Sequence, residues 1–394
     1  MSGALEGLRV IEMGSLIAGP FCGQLMGDMG ADVIKIEHPG EGDPMRQWGQ
    51  GAKPAWWRVI ARNKRSVALN LRLPRGQEIA RELIGHADIL VENFRPGTLE
   101  KWGMAPEALH AINPRLIIVR VSGYGQTGPY ADRAGFGLVG EAMGGWRYLV
   151  GEPDRPPSRM GLSIGDTLAA TYGCMGALAA LHAREKTGRG QVVDSALYEA
   201  VLQVTESLLP DFGTSGHMRT RSGSILPGIA PSNAYPCSDG DIVIGGNQDK
   251  VFARLAETIG HPEWAEDERF RTHHARGSRQ AELDGMIADW TRQHTVAEVD
   301  LIMAEAGVPA GPIYRPDGMV KDPQFRAREA IHWEEHESLG LVPLPNVFPK
   351  LSETPGAVRR PAPDQVGQHT DEVLNEVLDL DPAACDGLRR AGII

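Results

Sequence analysis

The chain has 394 residues, which is enough for two domains or for one large domain with an insertion. Its formal net charge of −11 argues against nucleic acid or an anionic membrane as the main partner, although an anionic small molecule can still bind at a local basic site. Four scattered cysteines indicate neither a zinc site nor a disulfide framework, so we expect reduced thiols and a cytoplasmic location, without a signal peptide or a membrane-spanning stretch.

The first predicted elements form a strand–helix–strand unit. The pattern predicts a strand over residues 8–13, a glycine-interrupted helix over 19–29 and a second strand over 31–37. Such a unit predicts a parallel sheet whose ligand lies at the carboxyl ends of the strands. A Gly-x-Gly-x-x-Gly fingerprint is absent, because the next glycine after Gly14 is Gly19, and a dinucleotide cofactor is therefore not expected.

The same alternation continues through the first third of the chain. Strands are predicted at 66–71, 89–93 and 116–122, and helices at 76–84 and 106–112. Alternating strands and helices are typical of a doubly wound α/β fold, in which helices cover both faces of a parallel sheet. We therefore predict this fold class for the first half of the chain.

Five basic residues cluster before and along the strand predicted at 66–71. They are Arg58, Arg62, Lys64, Arg65 and Arg72. A run of like charges is most often a solvated face. Its position near the edge of a parallel sheet makes phosphate binding the rival interpretation, and the sequence pattern leaves both open.

The stretch after Asp166 predicts a helix poor in polar residues. Small and apolar residues recur at helical spacing from Leu168 to His182, and Lys186 and Gly188 supply a stop signal. Such a helix should be buried, with other backbones packed closely against it. Asp166 is expected at the N-cap, where its carboxylate faces free backbone N–H groups and the positive end of the helix dipole. A plain capping role and a chemical role both fit this position.

Beyond residue 190 the pattern changes. A strand at 191–194 and a helix at 195–207 lead into a stretch rich in glycine, serine, threonine and proline, where we place a linker at 201–224. A hairpin ending in a Gly-Gly pair, followed by polar helices, predicts a smaller α/β domain over 225–325. A last amphipathic helix is predicted at 370–378.

Two other candidate sites are weaker. Residues 161–165 match Gly-x-Ser-x-Gly, in which Ser163 would be a nucleophile between a strand and a helix. Because the helix is expected to begin only after Asp166, the hydrolase interpretation is disfavoured. His273 and His274 have no partner at metal-ligand spacing, so no metal site is expected.

A series of motifs is spread over nearly the whole chain. They are LEGLRVIEMGSLIAGP, GADVIKIEHPGEGDPMRQWG, RNKRSVALNLR, DILVENFRPG, INPRLI, SGYGQTGP, the Gly-Asp pair that ends at Asp166, REKTGRGQVVDSALYEA and GQHTDEVL. In this order they resemble the family III CoA-transferases, also called the CaiB/BaiF family. The resemblance implies a Rossmann-like large domain formed by residues 1–200 and 330–394, a smaller α/β domain, and two chains interlocked as a homodimer.

The resemblance also implies the residues of the site. The family's catalytic aspartate matches Asp166, and CoA contacts are implied at Ile17, Ala18, His38, Leu69, Asn70, Arg72, Asn93, Phe94, Arg95, Lys101, Ala134, Gly135, Phe136 and Gly137. The family often has arginine where this chain has His38. Coenzyme A and acyl-CoA are then substrates, and neither a tightly bound cofactor nor a metal is implied.

Among the activities of the family that the chain resembles, CoA transfer is favoured over racemisation. The family's 2-methylacyl-CoA racemases need a proton-transfer group on each face of the substrate. Their histidine and glutamate correspond here to Phe136 and Gln248, which cannot move a proton. The implied reaction carries CoA from an acyl-CoA to a carboxylic acid through an anhydride and a thioester on Asp166, and general similarity favours succinyl-CoA and a dicarboxylate. A racemase and a non-catalytic CoA-ester-binding protein are the alternatives.

Overall fold

The chain forms two compact units in a computed structural model that describes residues 3–50 and 55–394. The first unit comprises Met1–Arg147, Met160–Met218 and Pro323–Ile394, and the second comprises Tyr148–Arg159 and Arg219–Asp322. Tyr148–Arg159 therefore clusters with the second unit, although the family resemblance implied that residues 1–200 belong to the large domain. Part of the expected linker is helical, because a helix covers Leu208–Ser215.

Among the described residues of the first unit, six strands form one parallel sheet. They are β1 (Arg9–Glu12), β2 (Asp32–Glu37), β3 (Lys64–Ala68), β4 (Ile89–Glu92), β5 (Ile117–Ser122) and β6 (Val192–Ala196). Their order is β3-β2-β1-β4-β5-β6, with every neighbouring pair parallel, which confirms the predicted doubly wound fold. Since the strand order reverses between β1 and β4, a crevice is expected at the carboxyl ends of these two strands.

Helices cover both faces of this sheet. The helices of the first unit up to residue 218 are α1 (Ala18–Asp28), α2 (Trp56–Ile60), α3 (Pro74–Gly85), α4 (Thr98–Lys101), α5 (Pro106–Ile112), α6 (Gly137–Met143), α7 (Trp146–Leu149), whose last two residues cluster with the second unit, α8 (Ile164–Thr187), α9 (Leu197–Leu202) and α10 (Leu208–Ser215). Neighbouring strand residues enter opposite cores: Val10 packs with the cluster that includes α1 and α8, and Ile11 with the cluster that includes α3. Burial on both faces explains the continuous apolar runs of the strands.

Helix α8 begins earlier than its pattern indicated. It starts at Ile164, so Ser163 is the N-cap residue and Asp166 lies in the first turn. The prediction that Asp166 occupies the N-cap is therefore wrong, although the carboxylate is still at the positive end of the helix. Gly188, with a φ of 69°, ends the helix as predicted.

Only one face of α8 is buried within the chain. Ala170, Cys174 and Ala177 lie against the sheet, whereas Thr171 and Met175 are exposed. By length and composition alone, α8 is long and apolar enough to cross a membrane. The expectation that no stretch would meet these two criteria was wrong. Its packing onto β5 and α1 is that of a core helix.

The second unit has its own sheet and core. Its antiparallel strands are β7 (Ser232–Pro236), β8 (Asp241–Gly245) and β9 (Ala310–Pro312). Its helices are α11 (Asp249–Thr258), α12 (His273–Ser278), α13 (Gln280–Thr291), α14 (Val296–Ala306) and α15 (Pro316–Met319). The predicted hairpin is confirmed, because Pro236 pairs with Asp241 across the turn. Phe252, Leu283 and Met303 lie in the buried core.

The C-terminal segment returns to the edge of the large sheet. It contains α16 (Pro323–Ala327), the hairpin of β10 (Ile331–His336) and β11 (Gly340–Pro345), α17 (Thr370–Leu378) and α18 (Pro382–Arg390). Hydrogen bonds join it to β3: His369 N–H donates to the Ser66 carbonyl at 2.9 Å, and Ala68 N–H donates to the side-chain Thr370 Oγ1 at 2.9 Å. This docking gives β3 a neighbour on its outer edge.

Candidate active site

A cavity of about 310 Å³ lies at the carboxyl ends of β1, β2, β3 and β4. Its lining residues lie at the ends of these strands or follow them: Met13, Gly14, Ser15, Ile36, Glu37, His38, Glu41, Gly42, Asp43, Pro44, Leu69, Leu71, Arg72, Phe94 and Trp102. A doubly wound sheet places its ligand site at this edge, where the strand order reverses. The cavity therefore lies where the strand–helix–strand pattern predicted a ligand.

Four residues proposed from sequence line this cavity together: His38, Leu69, Arg72 and Phe94. The Arg72 side chain is 69% exposed, and its guanidinium reaches the Glu41 carboxylate at 3.5 Å. Because that pairing is long and solvated, the guanidinium can turn toward an anion in the cavity. The His38 imidazole is 2.9 Å from the Pro39 carbonyl through Nδ1.

Two asparagines proposed as ligand contacts hold loops around the cavity. Asn93 donates through Nδ2 to the Ser15 carbonyl at 3.0 Å and accepts from Ser15 N–H at 2.9 Å, so it fixes the loop between β1 and α1. Asn70 Oδ1 accepts from Arg72 N–H at 3.1 Å and closes the turn after β3. Both side chains shape the walls through these bonds.

The remaining predicted CoA contacts lie outside the set of cavity-lining residues. Ile17 and Ala18 are buried at the start of α1, and Arg95 and Lys101 are exposed on the segment after β4. Conversely, the pattern missed Gly14, Ser15, Glu41, Gly42, Asp43 and Trp102, which do line the cavity. Most of these residues could have been predicted from their position directly after predicted strands.

Neither interpretation of the basic cluster is correct for four of its members. Arg58, Arg62, Lys64 and Arg65 are buried, and each is paired with carboxylates. Lys64 Nζ lies 2.7 Å from Glu12 Oε2, for example, with both side chains fully buried. Arg58, Arg62 and Arg65 join the first part of the chain to the C-terminal segment, and Lys64 joins β3 to β1. Arg72 alone of the five lines the cavity.

The Asp166 carboxylate rests directly on the backbone of Gly137. The Asp166 side chain is half-buried, in the first turn of α8. A Cβ atom on Gly137 would stand 2.1 Å from Asp166 Oδ2 and 2.8 Å from Cγ. Glycine at 137 therefore leaves the space that the carboxylate occupies. A negative charge in the first helical turn is stabilised by about 0.3–1 kcal/mol through the helix dipole.

The loop before Gly137 is close to the same carboxylate. Phe136 is the N-cap residue of α6 and is 63% exposed. Ala134 is exposed and Gly135 half-buried. At the position of Phe136, next to the residue that contacts Asp166, no group is available to transfer a proton.

Ser163 directly precedes α8, contrary to the expectation from the pattern. That argument against a serine nucleophile is therefore wrong, but a second one replaces it. Residues 151–160, before the serine, contain no strand, so the strand–turn–helix of a nucleophile elbow is absent from this described part of the chain. Within the described residues, no group of three metal-ligating side chains occurs either.

In the second unit, a buried arginine holds the loop that contains Gly246 and Gln248. Arg276 is fully buried and donates through Nη2 to the Asn247 carbonyl at 2.8 Å and through Nε to the Ala230 carbonyl at 3.1 Å. Gly246 N–H also donates to the Pro231 carbonyl at 2.9 Å. The loop is therefore ordered within its own unit.

Comparison with known proteins places these features in a family. The sequence profile of CoA-transferase family III matches residues 5–370. The chain is 53% identical over 380 residues to succinyl-CoA–D-citramalate CoA-transferase of Chloroflexus aurantiacus, covering 95% of this chain and 94% of that protein. It is 42% identical to the beta subunit of succinyl-CoA–L-malate CoA-transferase of the same organism, covering 99% and 98%.

A solved structure supports the same assignment. The crystal structure of a CaiB/BaiF family protein from Brucella suis has a TM-score of 0.85 to this chain at 35% sequence identity. The match covers 96% of this chain and 100% of that one. The likeness therefore extends over both compact units.

Proposed function

The chain belongs to CoA-transferase family III, and from this premise we propose that it carries CoA from succinyl-CoA to a dicarboxylic acid, with Asp166 as the nucleophile. The observation that carries the proposal is the contact of the Asp166 carboxylate with Gly137, at the positive end of α8. The carboxylate is half-buried there, so it can meet a substrate while much of the surrounding water is displaced. Two relatives whose names specify succinyl-CoA and a dicarboxylate support the choice of donor and acceptor.

The first half of the reaction removes the donor acid. An Asp166 carboxylate oxygen attacks the thioester carbonyl of succinyl-CoA. The C–S bond breaks, CoA departs as the thiolate, and a mixed succinyl–aspartyl anhydride remains on the enzyme. The thiolate then attacks the aspartyl carbonyl of the anhydride and releases succinate. The product is an aspartyl-CoA thioester, which is a covalent intermediate that conserves the energy of the original thioester.

The second half reverses these steps with the acceptor. A carboxylate oxygen of the acceptor attacks the aspartyl thioester carbonyl, and CoA thiolate leaves again. The thiolate attacks the acceptor carbonyl of the new anhydride, which yields the acceptor CoA thioester and regenerates the Asp166 carboxylate. One thioester is consumed and one is formed, so the exchange needs no external energy source.

We propose that the cavity at the sheet edge receives the nucleotide part of CoA. Phe94 and Trp102 form an edge-to-face aromatic pair with ring centroids 5.1 Å apart, and both line the cavity. Such rings provide an apolar surface for an adenine base. Arg72 supplies an exposed guanidinium for a phosphate. His38, in the loop that follows β2, lines the same cavity.

The homodimer is a further part of the proposal. Large apolar side chains are exposed on the first unit, among them Leu138 at 55%, Met175 at 59% and Phe348 at 78%. Where such side chains form one contiguous patch, they are typical of a protein–protein interface. A second copy of the chain is the partner that the family resemblance implies, and the cytoplasmic location also stays a prediction.

A transfer assay with a trapped intermediate tests the proposed function. Wild-type protein is incubated with succinyl-CoA and a panel of monocarboxylic and dicarboxylic acids, and new CoA esters are identified by mass spectrometry. Asp166→Asn should lower transfer by roughly three orders of magnitude or more, because the amide cannot form the anhydride. Hydroxylamine added to the wild type with succinyl-CoA should place a hydroxamate on Asp166.

Two controls separate the alternatives. Ser163→Ala should keep most of the transfer activity, since Ser163 is the N-cap residue and not the nucleophile. A 2-methylacyl-CoA incubated in deuterated water should gain no α-deuterium, because Phe136 cannot transfer a proton. An adduct on Ser163, or rapid deuterium uptake, would contradict the assignment, and CoA binding without any turnover would leave a non-catalytic binder.

A further inference from the structure

We propose that Asp43 is a positioning residue for acyl-CoA binding, which fixes the two loops on either side of the cavity and is itself held by the buried Lys35. The proposal rests on the function inferred above and concerns the same cavity. Neither residue emerged from the sequence pattern as a site residue. Lys35 stands within an apolar strand, and Asp43 follows the next turn.

The Asp43 carboxylate joins two different loops through their backbones. Its Oδ1 accepts from Leu16 N–H at 3.0 Å, in the loop between β1 and α1. The same oxygen accepts from Met45 N–H at 2.9 Å, where it caps the short 3-10 helix Pro44–Gln47. Both loops line the cavity, one through Gly14 and Ser15 and the other through residues 41–44. One carboxylate thus sets the distance between opposite walls.

Leu16 needs this support because its backbone is strained. Its φ of 65° lies in the left-handed region, which residues other than glycine seldom adopt. Such a conformation is unfavourable for leucine and persists only where surrounding contacts hold it. Asp43 accepts from the Leu16 N–H with both oxygens, at 3.0 and 3.2 Å. The strain lies directly before Ile17 and Ala18, where the family resemblance implies a CoA contact.

Lys35 supports Asp43 from beneath the cavity. Its ammonium lies 2.8 Å from Asp43 Oδ2 and 2.9 Å from Glu12 Oε1, and it donates to the Gly14 carbonyl at 2.9 Å. Burial favours the neutral amine, but the carboxylates of Glu12, Asp43 and Glu37 raise the pKa of Lys35 above its usual range. Burial likewise opposes the charged carboxylate, but Lys35 and the two N–H donors lower the pKa of Asp43 below its ordinary value. The ion pair therefore persists at working pH.

Asp43 is a poor candidate for direct ligand contact. It is only 4% exposed, and its carboxylate would repel the phosphates of CoA. Its lone pairs are directed at loop N–H groups and at Lys35. Its effect on CoA must therefore pass through the conformation of the two loops.

The primary variant is Asp43→Asn. An amide cannot accept from Leu16, Met45 and Lys35 at once, because its nitrogen is itself a donor that must face one of them. The dissociation constant for CoA, measured by calorimetry, and the KM for succinyl-CoA should both rise about 10- to 100-fold, the range that corresponds to one charged hydrogen bond. kcat at saturating substrate should change much less.

Asp32→Asn is the matched control. Asp32 stands at the opposite end of β2 and pairs with Arg65 at 2.6 Å, so its loss also removes an ion pair from the same sheet. This variant should lower the melting temperature without changing CoA affinity. Equal melting-temperature losses in both variants, with CoA affinity unchanged in both, would overturn the positioning role and leave Asp43 as a structural residue.

Two further variants keep the test decisive if Asp43→Asn folds poorly. Leu16→Val leaves the Asp43 network intact but puts a β-branched residue at a positive φ, so CoA affinity should fall. Adding Leu16→Gly to Asp43→Asn relieves the strain and should recover part of the lost affinity. Unchanged CoA affinity in Leu16→Val contradicts the proposal. Wild-type protein that binds CoA but transfers nothing would refute the proposed function and leave this inference standing.

Discussion

Gly137 is the residue on which the position of the Asp166 carboxylate depends. Gly137→Ala would place a methyl group 2.1 Å from Asp166 Oδ2, inside any real contact distance, so the carboxylate must move. A displacement of about 1 Å at a nucleophile can reduce the rate roughly 100-fold. We expect kcat for CoA transfer to fall by about that factor, with a much smaller change in CoA affinity, as measured by steady-state kinetics and calorimetry.

Gly213→Ala provides the control for the prediction at Gly137. Gly213 lies in α10, where an added Cβ would meet nothing within 4 Å. Alanine there should leave transfer intact and stabilise the helix by up to about 1 kcal/mol. Full activity in Gly137→Ala would mean that the carboxylate can work from a different position.

The buried basic residues show what a local pattern cannot predict. Arg58 pairs with Glu334 at 2.7 Å, and Arg65 pairs with Glu376 at 2.6 Å, although each pair is roughly 300 positions apart in the chain. In the sequence, only the cations are neighbours, so they suggest a charged surface. Their partners arrive with the C-terminal segment, and only the tertiary fold brings the opposite charges together.

At the scale of whole elements, helix ends were predictable where a residue type dictates them. Gly188 adopts the left-handed conformation that ends α8, and a glycine there is a strong local signal. The beginning of α8 carries a weaker signal: Ser163 and Asp166 have the spacing of a capping box, but Ser163 makes no side-chain cap bond. Tertiary packing marks it instead: a Cβ on Gly165 would stand 3.0 Å from the Gly137 carbonyl. Such a close approach of two backbones is invisible in the sequence.

The docking of the C-terminal segment on β3 should depend on pH through His369. Burial, with the nearby charges of Arg360 and Arg65, lowers the pKa of His369 below its usual value, whereas Glu372 opposes this shift. Its Nδ1 accepts from Ser66 N–H at 3.1 Å, which requires that nitrogen to be unprotonated. A depressed pKa adds stability above the unfolded value near 6.5, and this stability is lost as pH falls through the folded value.

The free energy of unfolding should therefore decrease below about pH 6.5, by at most about 1.4 kcal/mol per pH unit for one proton. Denaturant titrations from pH 8 to pH 5 measure this slope. His369→Gln should flatten that part of the profile, whereas His274→Gln, which changes an exposed histidine of the second unit, should not. Identical slopes in wild type and His369→Gln would assign the acid sensitivity to other groups.

At the scale of the whole molecule, the alternation of strands and helices was sufficient to predict the doubly wound sheet. The cavity at its carboxyl edge also followed, because strand order and ligand position are linked in such folds. The exposed face of α8 could not be predicted from the sequence, since small apolar residues around a whole helix indicate complete burial. Met175 on that face is 59% exposed, so burial within one chain accounts for only part of the pattern.

A second chain is the simplest cover for the exposed face, and the interlocked dimer implied by the family makes a stringent prediction. Chains threaded through one another cannot separate without unfolding. Sedimentation at nanomolar concentration should therefore give twice the chain mass, with no folded monomer. Two differently tagged preparations should form no mixed dimers after native mixing, but should form them after joint unfolding and refolding. Met175→Glu would bury a charge if α8 packs against the partner, so the refolded yield of dimer should fall sharply. Rapid exchange between native preparations would rule out interlocking and leave an ordinary surface-to-surface dimer.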